Sequence, residues 1–151
     1  MIGLAGCGRM GLPMLEALRD GGVQAMGFDV VDKGRPYTTT NIMAFAPGLD
    51  TLLSVVRDED ETNALLFDTQ NLISTAPNLR RIFICSTLSP RYVRALRNRI
   101  PGHITLIDAP MSGAVVAAED RRLSFMLGGT DQDIADATPI LALMGEHFHH
   151  M

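Results

Sequence analysis

Residues 1–30 read MIGLAGCGRMGLPMLEALRDGGVQAMGFDV, and the architecture of the chain unfolds from them. A short apolar run, residues 2–5, leads without a break into Gly6-Cys7-Gly8-Arg9-Met10-Gly11, a G-x-G-x-x-G string. Residues 12–22 carry apolar side chains at helical spacing and stop at Gly21-Gly22, and residues 23–30 read as a second strand. Strand, glycine turn, helix and strand in this order form a βαβ unit, the setting in which such a string takes on meaning. By itself the string fixes only three positions and describes a tight turn equally well.

In that setting each glycine has its own physical task. Gly6 permits the tight turn, Gly8 lets the backbone approach a diphosphate, and Gly11 lets the helix pack close to the strand. The start of the helix adds free N–H groups and the positive end of its dipole. Asp29 stands at the end of the second strand, 23 residues after Gly6. That is near the offset of about twenty expected for an acid that accepts both ribose hydroxyls. A carboxylate there repels a 2′-phosphate, so NAD is favoured over NADP, while Arg35 nearby keeps NADP open as the lesser alternative.

The 151 residues suffice for one domain with a real core, and 46% hydrophobic with 20% charged residues describes a globular chain. A net charge of -4 gives no reason to expect nucleic acid or an anionic membrane as partner. No apolar run is long enough to span a membrane, and the first segment lacks the basic start and cleavage site of a signal peptide. Cys7 and Cys85 stand outside any C-x-x-C or Cys/His cluster. Both read as reduced, small, buried residues, which suits a cytoplasmic protein. Lys33 is the only lysine among the 13 basic residues.

Further along, apolar runs alternate with helical patterns. Strands are expected at 37–39, 50–56, 81–88, 104–110 and 123–129, with a brief helix capped by Asn41. Longer helices are expected at 58–67, with acids in the first turn, from Ser89-Pro90 onward, and at 131–144. This alternation predicts an α/β, Rossmann-like fold, doubly wound around a mostly parallel sheet, with 1–151 as one NAD(P)-binding domain. The arginines at 91, 94, 97 and 99 read as a solvated helix face, and His103 as part of the Pro-Gly turn before its strand.

Three separated stretches sharpen the reading: GLAGCGRMGLPML (3–15), CSTLSP (85–90) and IDAPMSGAVVAAEDRRLSFMLGG (107–129). Together, and in this order, they resemble the β-hydroxyacid dehydrogenases, which include 3-hydroxyisobutyrate, tartronate semialdehyde and 6-phosphogluconate dehydrogenases. The resemblance runs the length of the chain and implies the cofactor domain of a two-domain NAD(P)-dependent enzyme. It implies that Gly6, Cys7, Gly8, Arg9, Met10 and Gly11 lie over the diphosphate, and that Asp29 holds the adenosine ribose. It further implies that Val56 and Arg57 lie against the cofactor, although the family usually has proline where Arg57 stands. Thr87 matches the threonine beside the nicotinamide ribose, and Ser112 with Gly113 the turn that holds a small hydroxy-acid substrate. The residue chemistry agrees: Ser112-Gly113 follows an apolar strand end, where ligands bind in open α/β sheets.

The chain departs from the family pattern in three ways. Ala114 replaces the second glycine of the substrate turn, and its β-carbon is expected to narrow the turn or restrict its backbone. The link from Asp29 to the fourth strand is short, so the helix after the second strand is expected to be shortened or missing. The family's general acid/base lysine and its helical C-terminal domain have no counterpart in these residues, so this stretch alone is expected to bind cofactor but to transfer hydride poorly. Lys33 matches no family position.

The leading function is therefore the NAD-binding part of an oxidoreductase passing hydride between NAD and a small 2- or 3-hydroxy acid. A non-catalytic NAD(H)-binding module and the cofactor domain of a related imine reductase stand as alternatives. A full-length protein is expected to form homo-oligomers. His147 and His149 share a strand face but lack a carboxylate or thiolate partner, so no metal is expected.

Overall fold

In the computed structural model, which describes residues 1–151, the first two strands lie side by side and four more extend them into a parallel sheet. The strands are β1 (Ile2–Ala5), β2 (Ala25–Phe28), β3 (Thr38–Thr39), β4 (Thr51–Ser54), β5 (Arg81–Ile84) and β6 (Thr105–Asp108), in the order β3-β2-β1-β4-β5-β6. Every pairing between neighbours is parallel. The central strands β1 and β4 bury all four of their residues, which is why they read as unbroken apolar runs.

Alternate side chains feed two cores. Leu4, Leu53, Phe83 and Ile107 point to one face, covered by α1 (Gly11–Asp20), α6 (Val115–Glu119) and α7 (Asp131–Leu141). Ala5, Leu52, Ile82 and Ile84 point to the other, covered by α2 (Ile42–Phe45), α3 (Glu59–Leu66), α4 (Leu72–Thr75) and α5 (Pro90–Arg99). Helix starts follow local chemistry. Asn41, Asp58, Ser89 and Thr130 each accept a backbone N–H from the first turn of the helix they precede, and Pro90 opens α5.

The doubly wound parallel sheet is as expected, but the chain beyond β6 departs from one continuous sheet. Met111–Ser112 (β7), Leu123–Leu127 (β8) and Gly145–His150 (β9) form a separate three-stranded sheet, β7-β8-β9. In it β7 and β8 run antiparallel while β8 and β9 run parallel. It touches β6 through a single bridge between Asp108 and Gly128. Pro110 offers no N–H to continue a ladder, and its carbonyl turns to the N–H of Met126 instead. The short helices α4 and α6, each a turn or so long, carry too little periodic signal to be read in advance. No helix is long and apolar enough to cross a membrane.

Between β2 and β3 there is no helix at all, only residues 29–37 as a loop. A doubly wound unit normally inserts a helix there. Without one, Val30 and Val31 are left 73% and 59% exposed at the end of β2.

Candidate dinucleotide-binding site

Strand order reverses between β1 and β4, so the chain leaves their C-terminal ends in opposite directions and opens a crevice. A cleft of about 640 Å³ lies there, bordered by the glycine loop (Gly6, Gly8), the end of β2 (Asp29, Val30, Val31, Lys33) and the β4–α3 segment (Val56, Arg57, Glu61).

Each loop glycine answers a different steric demand. Gly6 sits at φ +96°, and a β-carbon there would also meet the Val55 carbonyl at 2.7 Å. A β-carbon on Gly11 would lie 1.8 Å from the Gly6 carbonyl oxygen, so only glycine lets α1 start this close to β1. At Gly8 a β-carbon would meet nothing within 4 Å. Gly6 and Gly11 serve the fold, whereas Gly8 faces open space at the cleft.

Beyond Gly8 the backbone is free. The N–H groups of Gly8, Arg9, Met10 and Gly11 donate to no protein acceptor, while the next helical amide, that of Leu12, bonds the Gly8 carbonyl at 3.0 Å. No side chain caps α1 and no acid stands in its first turn. Four unpaired donors at the positive end of a ten-residue helix suit an anion, and the residues present fit the diphosphate of a dinucleotide.

Asp29 ties this loop to β2. Its Oδ2 accepts the Cys7 N–H at 2.8 Å and its Oδ1 the Val31 N–H at 2.9 Å. Each oxygen keeps a second lone pair for an outside donor. The Cys7 side chain turns the other way, into the core, where its thiol approaches the carbonyls of Leu4 and Phe28. Burial, with the Asp29 charge, pushes that thiol up to about 12, against the opposing pull of the Lys33 ammonium. Cys7 thus offers the loop its backbone, and its thiol is neither nucleophile nor ligand. Cys85, fully enclosed, is likewise pushed up to about 12 by burial and by Asp108. Met10 is half-buried against the core, and Arg9 is exposed.

On the opposite wall Arg57 is 87% exposed and its Nε donates to both oxygens of Glu61, at 2.9 and 3.1 Å, one helical turn on. The Val56 carbonyl accepts the buried hydroxyl of Ser86. Sequence reasoning singled out Thr87, which is exposed just past β5; the hydroxyl that fastens β5 to the cleft wall belongs to its neighbour. Ser86 and Thr87 read alike in sequence, because only the pairing of β4 with β5 shows which one points inward.

Of the two basic residues after β2, only Lys33, which had no assignment, lines the cleft. Lys33 borders the cleft beside Asp29. Arg35 turns away: its Nη1 donates to the Lys33 carbonyl at 3.1 Å and its Nε lies 3.9 Å from Glu16 on α1.

Ser112 and Gly113 do not border this cleft. Ser112 is exposed on β7 opposite Ser124, and Gly113 turns at φ +134° into α6, which packs on α1. A β-carbon on Gly113 would come within 2.9 Å of the Ala117 methyl. Ala114 is extended, at φ -88° and ψ -179°, a conformation that any residue adopts, so its backbone does not call for glycine. His147 and His149 stack with ring centroids 6.5 Å apart on β9.

The fold and cleft define a doubly wound dinucleotide-binding domain. The chain matches the NAD-binding domain of 6-phosphogluconate dehydrogenase across residues 1–151, and it belongs to that family. It is 27% identical to a 3-hydroxyisobutyrate dehydrogenase of Pseudomonas aeruginosa, covering 99% of this chain and 53% of the relative. Among solved structures it superposes on a 3-hydroxyisobutyrate dehydrogenase of Mycobacterium tuberculosis with L-serine at TM-score 0.86 and 24% identity, over 99% of this chain and 53% of that one. It superposes on an imine reductase of Myxococcus stipitatus with NAD+ at TM-score 0.84 and 14% identity, over 100% and 54%. At these identities the two superpositions speak for the fold. The chain spans about half the length of the curated relatives it matches.

Proposed function

We propose that this chain is the cofactor-holding part of an NAD-dependent oxidoreductase acting on the CH–OH group of a small 2- or 3-hydroxy acid. The observation that carries the reading is the row of four unpartnered amides, Gly8 to Gly11, facing a cleft whose far end holds Asp29. In this reading those amides hold the diphosphate. The free lone pairs of Asp29 accept the adenosine ribose hydroxyls, and Val56 and Arg57 flank the adenosine. Thr87 lies toward the nicotinamide ribose.

NAD, when bound, supplies the hydride acceptor; the chain's own residues supply position. Ser112 and the glycine-freed backbone at Gly113 offer a hydroxyl and N–H groups to a substrate carboxylate, which favours hydroxy acids over the C=N substrates of the imine reductase alternative. A general acid/base lysine, which the family resemblance implies, is not Lys33, because that residue stands at the Asp29 end of the cleft. The domain is thus assigned residues 1–151 and the task of binding and orienting the cofactor.

Titration with NADH and NADPH, followed by nicotinamide fluorescence, tests the reading. NADH is expected to bind more tightly than about 1 mM, or roughly -4 kcal/mol, and more tightly than NADPH. Failure of both to reach that affinity overturns the proposal.

A further inference from the structure

We propose that Met126, His147 and His149 form a binding site for a soft monovalent cation, Cu(I). The site lies on the second sheet, away from the glycine loop, and does not rest on the dinucleotide reading.

Residues 147–150 read His-Phe-His-His, and in sequence the histidines lack a donor of another kind. The fold sorts them and supplies that donor. Along β9 side chains alternate between the two faces of the sheet. Phe148 turns to the core, where its ring stacks on that of Phe125 at 6.2 Å. His150 turns the same way and is committed: its Nε2 lies 2.9 Å from the Gly129 carbonyl oxygen and its Nδ1 3.2 Å from Asp131. His147 and His149 turn to the opposite face, their ring centroids 6.5 Å apart. The carboxylate near this pair is that of Glu146, 3.6 Å from His147 Nε2, and Arg122 already holds it at 3.1 Å.

The parallel register of β8 and β9 sets Met126 opposite His149 and Ser124 opposite His147. Partners in register share a face, so Met126 stands beside the imidazole pair. Its strand neighbours Phe125 and Leu127 are fully buried, whereas Met126 is half-buried and packs against neither core. Its thioether is therefore a soft donor that folding leaves unused. Neighbouring strands lie about 4.8 Å apart and alternate residues of one strand about 6.6 Å. Three donors at those spacings, on rotatable stems, can converge above the sheet face. Two imidazoles and a thioether select Cu(I) over Mg(II) or Ca(II), and give Zn(II) too few ligands for its usual tetrahedral site. The thiols of Cys7 and Cys85 are enclosed and pushed up to about 12, so they do not compete in the folded chain.

The test is titration of the chain with Cu(I), kept reduced by ascorbate and competed with bicinchoninate, and with Ag(I) as a redox-inert probe. A single equivalent is expected to bind at free metal below about 1 µM, and X-ray absorption to show nitrogen and sulfur neighbours together. Met126→Leu is expected to weaken Cu(I) about tenfold, and His147→Asn or His149→Asn about a hundredfold. His150→Asn, on the other face, is expected to stay within about threefold of wild type. Thermal melting of the metal-free variants checks that each folds. Ag(I) is expected to raise the Tm of wild type but not of His149→Asn, because the metal ties β8 to β9. No binding tighter than about 10 µM overturns the proposal, as does a Met126→Leu chain that binds Cu(I) like wild type. Equal losses at His150 and His149 would make the histidines an undivided cluster and overturn it as well, as would Zn(II) binding as tightly as Cu(I).

Discussion

Replacing Gly8 by valine separates what the glycine loop does for a ligand from what it does for the fold. A β-carbon at position 8 meets no protein atom within 4 Å, its backbone is not in the left-handed region, and the residue is exposed. Folding stability is therefore expected to move by no more than about 0.5 kcal/mol. The three added carbons occupy the space through which a diphosphate would approach the amides of Gly8 to Gly11. If two of the four charge-assisted hydrogen bonds are lost, at about 1.5–3 kcal/mol each, binding weakens by about 3–6 kcal/mol, or roughly 10²–10⁴ in Kd. Gly11→Ala is the internal contrast. Its β-carbon would sit 1.8 Å from the Gly6 carbonyl oxygen, so α1 must shift, at a cost of about 1–3 kcal/mol and a Tm lower by about 3–10 °C. NADH fluorescence titration and thermal melting, run on both variants, read the two effects separately. A Gly8→Val chain that binds NADH like wild type, or that melts as low as Gly11→Ala, refutes the division of labour argued here.

Other substitutions probe the cleft and the core. Asp29→Asn keeps an acceptor for the Cys7 or Val31 amide but removes the charge, so the NADPH-to-NADH affinity ratio is expected to rise about tenfold in parallel titrations. Ser54 is fully buried at the end of β4 and its hydroxyl has no partner. Ser54→Ala is expected to stabilise by about 1 kcal/mol and raise the Tm by about 2–4 °C in calorimetry, and a lowered Tm would mean that the hydroxyl is satisfied. Burial holds the Asp108 carboxyl above the usual carboxylate range, so its ionised form subtracts from stability at neutral pH. That deficit shrinks as pH falls through the raised folded value and vanishes below the unfolded value of about 4. Asp108→Asn is therefore expected to melt higher than wild type at pH 7 and level with it below pH of about 4; an advantage that persists in acid would point to packing instead.

The sequence by itself determined the βαβ start, the parallel sheet and the glycine loop and Asp29 that border the cleft. Those features rest on short-range physics: buried parallel strands must be apolar throughout, helix starts need capping oxygens, and a close turn tolerates only glycine. Gly6 and Gly11 are legible for that reason, since each is demanded by its own neighbourhood, whereas Gly8 and Asp29 are legible through their spacing in the βαβ unit. Tertiary structure alone decided the remainder. Which of Ser86 and Thr87 points inward depends on how β5 pairs with β4, some thirty residues away. That Lys33 and not Arg35 borders the cleft depends on Glu16, which reaches Arg35 from a different element. The strands after Pro110 satisfy local patterns equally well in the main sheet or outside it, and only their pairing with one another places them in a second sheet. Sequence periodicity encodes the face a residue turns to its own element, whereas the partner it finds across the fold is fixed only when distant segments meet.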